Sequence, residues 1–523
     1  MPPRARALLV LYGVLALLVI PVFPHFLSPN EFARWATAAS LAERGTLEIS
    51  TVRPLLGPSF EDVAAVDGRL YSNKAPGLAF VAMPGYLVGR SIAGPPSREA
   101  MRVSLDAMRI AGATLPALLL AAVAARAAGR LGADRERVPV LVFALLFATP
   151  LFAYGLLLFS HALVAAALFG AWVALFSPAP ARAAVRRDLL AGALLGLSVV
   201  TEYPAAVPAA VLAVAATWGR GPGRLARIAA GSAPFAAALL LYNRLYFGGF
   251  FELSSAHEFE GSFRALASTG LFGIGLPSPA ALGRLVADPS KGLLLFSPFV
   301  VLGLRAFPAA ARRLGRPATV ALALVPLSML LLFSGYPNWH GGFTVGPRYL
   351  VGALPFLVFP LAFRRGGGLE AALLGASAGA VALTTLVFPF VPGGFALPWG
   401  SFAAPLLSHG LVVPNLLHLS PGGLTAVAVP FVAVGAAAGA VFGRHRLLSA
   451  AVGALLWIGA GIALESLVPS APRERLVRAY VADVYFGQRG ALEREIAATS
   501  AAQPRLLARR AAEEAIGPTP WPF

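Results

Sequence analysis

The sequence has no cysteine, which removes disulfides, thiolate nucleophiles and cysteine-ligated metals from consideration. It is poor in charge, with 13% Asp, Glu, Lys and Arg, where a soluble chain carries about 25%. It has almost no lysine: of 42 basic residues, only positions 74 and 291 are lysine and the rest are arginine. There is no P-loop, no GxGxxG opening a helix after a strand, and the seven histidines show no HExxH spacing, so no cytosolic nucleotide site or zincin motif is present. No internal repeat is visible either, and repeats are a common mark of transporters built from two related halves.

What fills the chain is apolar. Of its 523 residues, 58% are hydrophobic, in runs near 20 residues from end to end, the length that crosses a hydrocarbon core of about 30 Å. The expected fold class is therefore all-α, a polytopic helical membrane protein. A transmembrane barrel would show alternating segments of about ten residues instead. The net charge of +18 does not point to nucleic acid. The arginines cluster in short connectors at 4/6, 126–137, 182–187, 220–227, 305–316, 364/365 and 444/446, which is how cytoplasmic loops are marked; their other partners are anionic lipids. Between them lie segments rich in Trp, Tyr, His, Gly and acid, expected outside. The basic, then apolar N-terminus lacks a small-residue cleavage site and reads as a retained first helix rather than a signal peptide.

Hydropathy and charge alternation give roughly 13 spans, at 7–26, 107–128, 139–157, 161–177, 190–203, 205–218, 228–246, 292–310, 318–335, 349–363, 370–391, 423–443 and 447–466. The pair around 190–218 is divided at "TEYP", where a proline ends the first helix. Residues 76–94 are apolar but hold two prolines and read as a segment dipping into the membrane from outside. This makes 1–466 one transmembrane domain, with outer segments at 27–106, 247–291 and 393–422, and 467–523 a short extracytoplasmic helical tail.

Four outer constellations carry candidate chemistry. "SPNEFARWATAASLAERGTLEI" directly follows the first span and reads as an amphipathic helix on the outer face, with Glu31 in its first turn. Glu31 there either complements the helix dipole or serves as a general base beside a lipid-borne substrate. "FEDVAAVDGRLYSNKAPGLAF" brings Asp62, Asp67, a turn at "DGR", Tyr71 and Lys74 to the edge of an apolar segment. A lysine ammonium is a compact charge suited to a phosphate oxygen, and a chain that otherwise anchors itself with arginine has chosen lysine here. "SGYPNWHGGFTVGPRYLVGALPF" sets Trp339, His340 and Arg348 in a glycine-rich loop, where a guanidinium can grip phosphate through two bonds. Lastly, His161, Glu202 with Tyr203, and Asn243 with Arg244 are polar groups near outer span ends, costly there unless paired or functional. Lys291, opening another span, is a further candidate for a phosphate or headgroup.

The order of these pieces resembles the polyprenyl-phosphate-sugar-dependent glycosyltransferases of the GT-C fold, and looks closest to members akin to the lipid A aminoarabinose transferase and, more distantly, the protein O-mannosyltransferases. The likeness covers most of residues 7–365. It implies that Glu31 matches the family's catalytic acid in the first outer loop, and that Asn73-Lys74-Ala75-Pro76 matches a Glu-Lys-Pro-Pro-like segment whose lysine contacts lipid phosphate. It also departs from the family. The acid before the lysine is Asn73, His161 stands where a second outer acid is usual, and Thr201-Glu202 replaces Thr-Lys.

The implied reaction moves a sugar from a polyprenyl-phosphate donor to a hydroxyl of a lipid, glycan or protein on the outer face of the inner (plasma) membrane. It needs one carboxylate as base and basic groups to stabilise the departing phosphate; a single displacement inverts the anomeric centre. Glu31 is the expected base, with Lys74, Arg348, Tyr71 and Lys291 toward phosphate and lipid, and Asp62, Asp67, His161, Glu202, Tyr203, Trp339 and His340 around the substrate. No cofactor is implied, although Glu31, Asp62 and Asp67 could bind a divalent metal. The rivals are a multi-pass transporter or flippase, and a ligase or polymerase of a polyprenyl-linked polysaccharide.

Overall fold

The computed structural model describes residues 1–22, 28–55, 62–178, 180–218, 221–468 and, within 472–497, all but 489, 492, 493 and 496. The chain is an all-α membrane protein. Among the described residues six helices are long and apolar enough to cross a membrane: Arg98–Arg130, Pro222–Phe247, Arg316–Ser334, Gly368–Val387, Pro421–Val441 and Arg444–Leu467. Most of the other expected spans are shorter apolar helices, and proline explains much of the shortening. The segment 139–157 breaks at Pro150 into Arg137–Phe147 and Leu151–Tyr154, and 292–310 breaks at Pro298 into Leu293–Phe296 and Val300–Ala311. Residues 348–363, with Pro355 and Pro360, wind as alternating 3₁₀ and α turns. In each case the proline lacks the N–H that a continuous ladder needs.

The division at "TEYP" is present. Ala184–Thr201 ends where Glu202 turns extended (φ −154°, ψ 111°), and Ala206–Thr217 follows after a 3₁₀ turn. Residues 76–94 form one unbroken helix, Gly77–Ala93, with Pro84 inside it. The chain then reverses at Ser97, whose hydroxyl accepts from the Ala100 N–H at 3.0 Å, and the next helix packs back along the first.

Close packing comes from small residues, as expected where no hydrophobic effect drives helices together. Ala184–Thr201 lies against Pro222–Phe247 so tightly that a Cβ on Gly231 would sit 2.1 Å from the Leu189 carbonyl oxygen. Gly231→Val should therefore force these helices apart. Overpacking of this kind costs about 1–3 kcal/mol or more, and a lowered melting temperature of the purified protein checks it.

Val63–Val66 (β1) and Arg69–Ser72 (β2) form an antiparallel hairpin. Its two-residue turn has Asp67 at φ 48° and Gly68 at φ 74°, the positive angles that a tight hairpin requires. The expected helix after the first span is Pro29–Arg44. Glu31 to Ser40 are all buried, so the body of the protein covers this helix far more than a surface amphipathic helix would be covered. The tail begins with Pro472–Val484, which docks on the main core through Val477, Tyr480 and Val481; residues 498–523 lie outside the described residues.

Candidate active site

Glu31 does not stand free above the bilayer. Its carboxylate accepts from Arg109 Nε and Nη2, each at 2.8 Å, and from the Leu158 N–H at 2.7 Å. Glu31 is 0% exposed and Arg109 2%. A two-bond ion pair out of water, with a backbone donor filling a further lone pair, is a structural clamp. It ties Pro29–Arg44 to Arg98–Arg130 and to the chain before His161. Sequence reasoning placed the acid at the right helix start but missed its partner, which lies 78 positions away.

The helix carries other residues outward instead. Asn30 and Arg34, one turn apart, both line a cavity of about 1240 Å³, larger than the roughly 300–1,000 Å³ of an ordinary small-molecule site. Arg34 donates to the Asn30 backbone carbonyl at 2.7 Å and also to its side chain. Lys74 and Arg348 line the same cavity, so three cations from three distant stretches meet there, and Arg348 lies within electrostatic reach of both Arg34 and Asp62. Arg348 Nη2 donates to the Tyr349 hydroxyl at 2.7 Å. Gly341, at φ 74°, lets that side chain pass, since a Cβ there would lie 2.8 Å from it. Nε of both arginines (Arg34 and Arg348) is buried without a hydrogen-bond partner among the described residues, an unmet donor that an anion can satisfy.

The hairpin positions Lys74. Its ammonium reaches Asp62 at 2.7 Å, and its N–H is held by the Ser72 hydroxyl at 3.1 Å. Burial opposes ionisation of Asp62, but the adjacent Lys74 charge and its hydrogen bond outweigh it and keep the carboxyl below its usual range. His161, Glu202 and Tyr203 line the cavity as well. Glu202 accepts from the Ser160 hydroxyl, and the Tyr203 and Ser254 hydroxyls pair at 3.2 Å.

Several expected residues lie elsewhere. Tyr71 packs its ring on Tyr246 and Phe247, holding the end of Pro222–Phe247 against the hairpin. Lys291 is 1% exposed and donates to the backbone carbonyls of Thr344 and of Val391, the latter at 2.6 Å, so it fastens two loops rather than facing a headgroup. Asp67 is exposed at the hairpin tip. Trp339 stacks under the Arg284 guanidinium, and His340 Nδ1 accepts from the Gly342 N–H at 3.0 Å; neither lines the cavity. Glu31, Asp62 and Asp67 do not converge, and among the described residues no three His, Asp or Glu side chains are grouped to hold a metal. Arg244 caps its own helix at the Gly248 carbonyl, whereas Asn243 faces the cavity.

Sequence reasoning passed over Arg34 and Glu258. Arg34 carried a signal, sitting one helical turn after Asn30. Glu258, in "SSAHEFEGS", carried none. It reaches the site because residue 258 bridges to Ala64 of β1 and the Phe259 N–H donates to the Val63 carbonyl at 2.8 Å.

From this charged end an apolar trough runs between Ala184–Thr201, Ala206–Thr217 and Pro222–Phe247. Its walls include Leu195, Val199, Val207, Ala213, Ile228 and Leu240. On the last helix it extends from Asn243 to Leu225, about 27 Å along the axis at 1.5 Å per residue, close to the thickness of a hydrocarbon core.

No protein-family model and no curated protein sequence matches the chain. Among solved structures it is similar to ArnT from Cupriavidus metallidurans in the apo state, with 15% identity over 91% of this chain and 78% of that one at a TM-score of 0.48. The same protein bound to undecaprenyl phosphate gives 16% identity, 91% and 79% coverage, and a TM-score of 0.48. The oligosaccharyltransferase of Archaeoglobus fulgidus in its apo form gives 11% identity over 86% of this chain and 56% of that one, at a TM-score of 0.38.

Proposed function

We propose that the chain transfers a sugar from a polyprenyl-phosphate donor to an acceptor hydroxyl on the outer face of the inner membrane. One observation carries the reading: a single cavity joins three convergent cations, Arg34, Lys74 and Arg348, to an apolar trough about 27 Å long. That is the shape of an anionic head on a long hydrocarbon tail. The cations hold the phosphate while it is esterified and stabilise the charge it gains as it leaves. A flippase or transporter would need polar groups along its path, whereas here the charged groups gather at one end of the trough.

The tail requirement makes the reading testable. Ala213 lies on the trough wall, away from the charged end. Ala213→Trp should fill the trough and weaken binding of undecaprenyl phosphate by about tenfold or more, while leaving binding of a two-isoprene phosphate within about twofold. Equal loss for both lengths, or none for either, would remove the tail from the trough. Sugar release from undecaprenyl-phosphate hexoses, assayed with native membranes as the acceptor source, tests the transfer itself.

A further inference from the structure

The transferase reading leaves the proton of the acceptor hydroxyl without a destination once Glu31 is locked to Arg109. Among the described residues three other carboxylates stand at the charged end. Asp62 is spent on Lys74 at 2.7 Å. Glu202 is engaged by the Ser160 hydroxyl and lies in the field of Arg34. Glu258, which lies in the field of Lys74, differs from both in how it is held. It lines the cavity, is 8% exposed, and both of its carboxylate oxygens accept from a neutral group, the Asn73 amide, at 2.8 and 2.9 Å.

An amide orients a carboxylate without neutralising it. Asn73 is itself fixed: its backbone carbonyl accepts from Ser254 at 2.9 Å, and its Nδ2 also reaches Asp62 at 3.2 Å. Its Oδ1 is buried with no partner among the described residues, so the pair presents an unmet acceptor beside the carboxylate. That is the arrangement an incoming hydroxyl or sugar O–H would complete.

We propose that Glu258, held by Asn73, is the proton acceptor of the transfer. The acceptor O–H bond breaks and its proton goes to the Glu258 carboxylate. The freed oxygen bonds the anomeric carbon as the sugar–phosphate C–O bond breaks, and that electron pair stays on the polyprenyl phosphate beside Lys74, Arg34 and Arg348. This rests on the transferase reading above. The environment suits the role. Burial raises the Glu258 carboxyl to about 7; Lys74 and the Asn73 bond oppose the rise, Asp62 adds to it, and Arg264, which donates to the Glu258 backbone carbonyl at 2.7 Å, opposes it weakly. Among the described residues Tyr336 also lies within its field. A base must be deprotonated to act, so activity rises with pH through about 7.

The test uses full-length purified protein and two readouts. In transfer from undecaprenyl-phosphate hexoses, Glu258→Gln should lose about 10²- to 10⁴-fold, and Glu258→Asp should retain more activity with its rising pH limb displaced. In binding of undecaprenyl phosphate alone, wild type should weaken by about tenfold more than Glu258→Gln between pH 6 and 8, because only wild type gains a negative charge beside the phosphate. The lipid's own titration is common to both proteins and cancels. Wild-type transfer by Glu258→Gln, or the same pH dependence of binding in both, overturns the proposal. If wild type neither binds undecaprenyl phosphate nor turns over any donor, the transferase reading itself fails. Should Glu258→Gln not fold, the displaced limb of Glu258→Asp decides: an unmoved limb counts against Glu258.

Discussion

Arg109→Ala is expected to destabilise the protein by about 3–5 kcal/mol, the scale for leaving a buried charge without its partner. Glu31 would remain at 0% exposure with its bonds from Nε and Nη2 gone and only the Leu158 N–H left. Glu31→Gln should cost less, because a glutamine still offers an oxygen to Leu158, but it too should lower the melting temperature. Arg109 keeps some compensation in that variant from Asp106 at 2.9 Å. A free general base behaves otherwise: its glutamine variant keeps the stability of the parent and loses only turnover. Melting curves of both variants separate the two roles. Unchanged stability in Glu31→Gln, with transfer abolished, would return the base to Glu31.

This site shows what a sequence discloses and what it withholds. The helices were legible because an apolar run and an arginine connector are local patterns, and the break at "TEYP" was legible because proline acts on its own turn. Lys74 and Arg348 stood out through unusual residue choice and glycine-rich surroundings. The roles of acids were harder to read. Glu31 and Glu258 look alike as letters, and what separates them is their long-range partners: Arg109 and the Leu158 N–H for the first, and for the second Asn73, 185 positions away. A carboxylate in two bonds to a guanidinium is half of an ion pair, and one beside an amide has no charge partner in that contact. Helix continuity was hidden for a related reason. Hydropathy registers how apolar 139–157 or 292–310 is, but not that Pro150 and Pro298 divide the backbone.

Lys74 offers the other large effect, and its pairing with Asp62 sets the size. In Lys74→Ala the proposed donor's phosphate would lose an ammonium, and Asp62, only 18% exposed at its side chain, would be left without its cationic partner beside the proposed phosphate position. A charged hydrogen bond is worth roughly 1.5–3 kcal/mol, so undecaprenyl phosphate should bind about tenfold to a hundredfold more weakly. The unpaired Asp62 adds repulsion to that loss. The double variant Lys74→Ala, Asp62→Asn should therefore recover part of the affinity although it restores no cation. Lys74→Arg should also bind poorly, because the planar guanidinium is bulkier than the ammonium that meets Asp62 at 2.7 Å from a chain turning into the Gly77–Ala93 helix. A lysine that only anchors the loop at the membrane edge would tolerate arginine without effect. Titration of undecaprenyl phosphate against the three variants gives the answer. Wild-type affinity in Lys74→Arg, or a double variant no better than Lys74→Ala, would mean that Lys74 serves Asp62 and the hairpin rather than the phosphate.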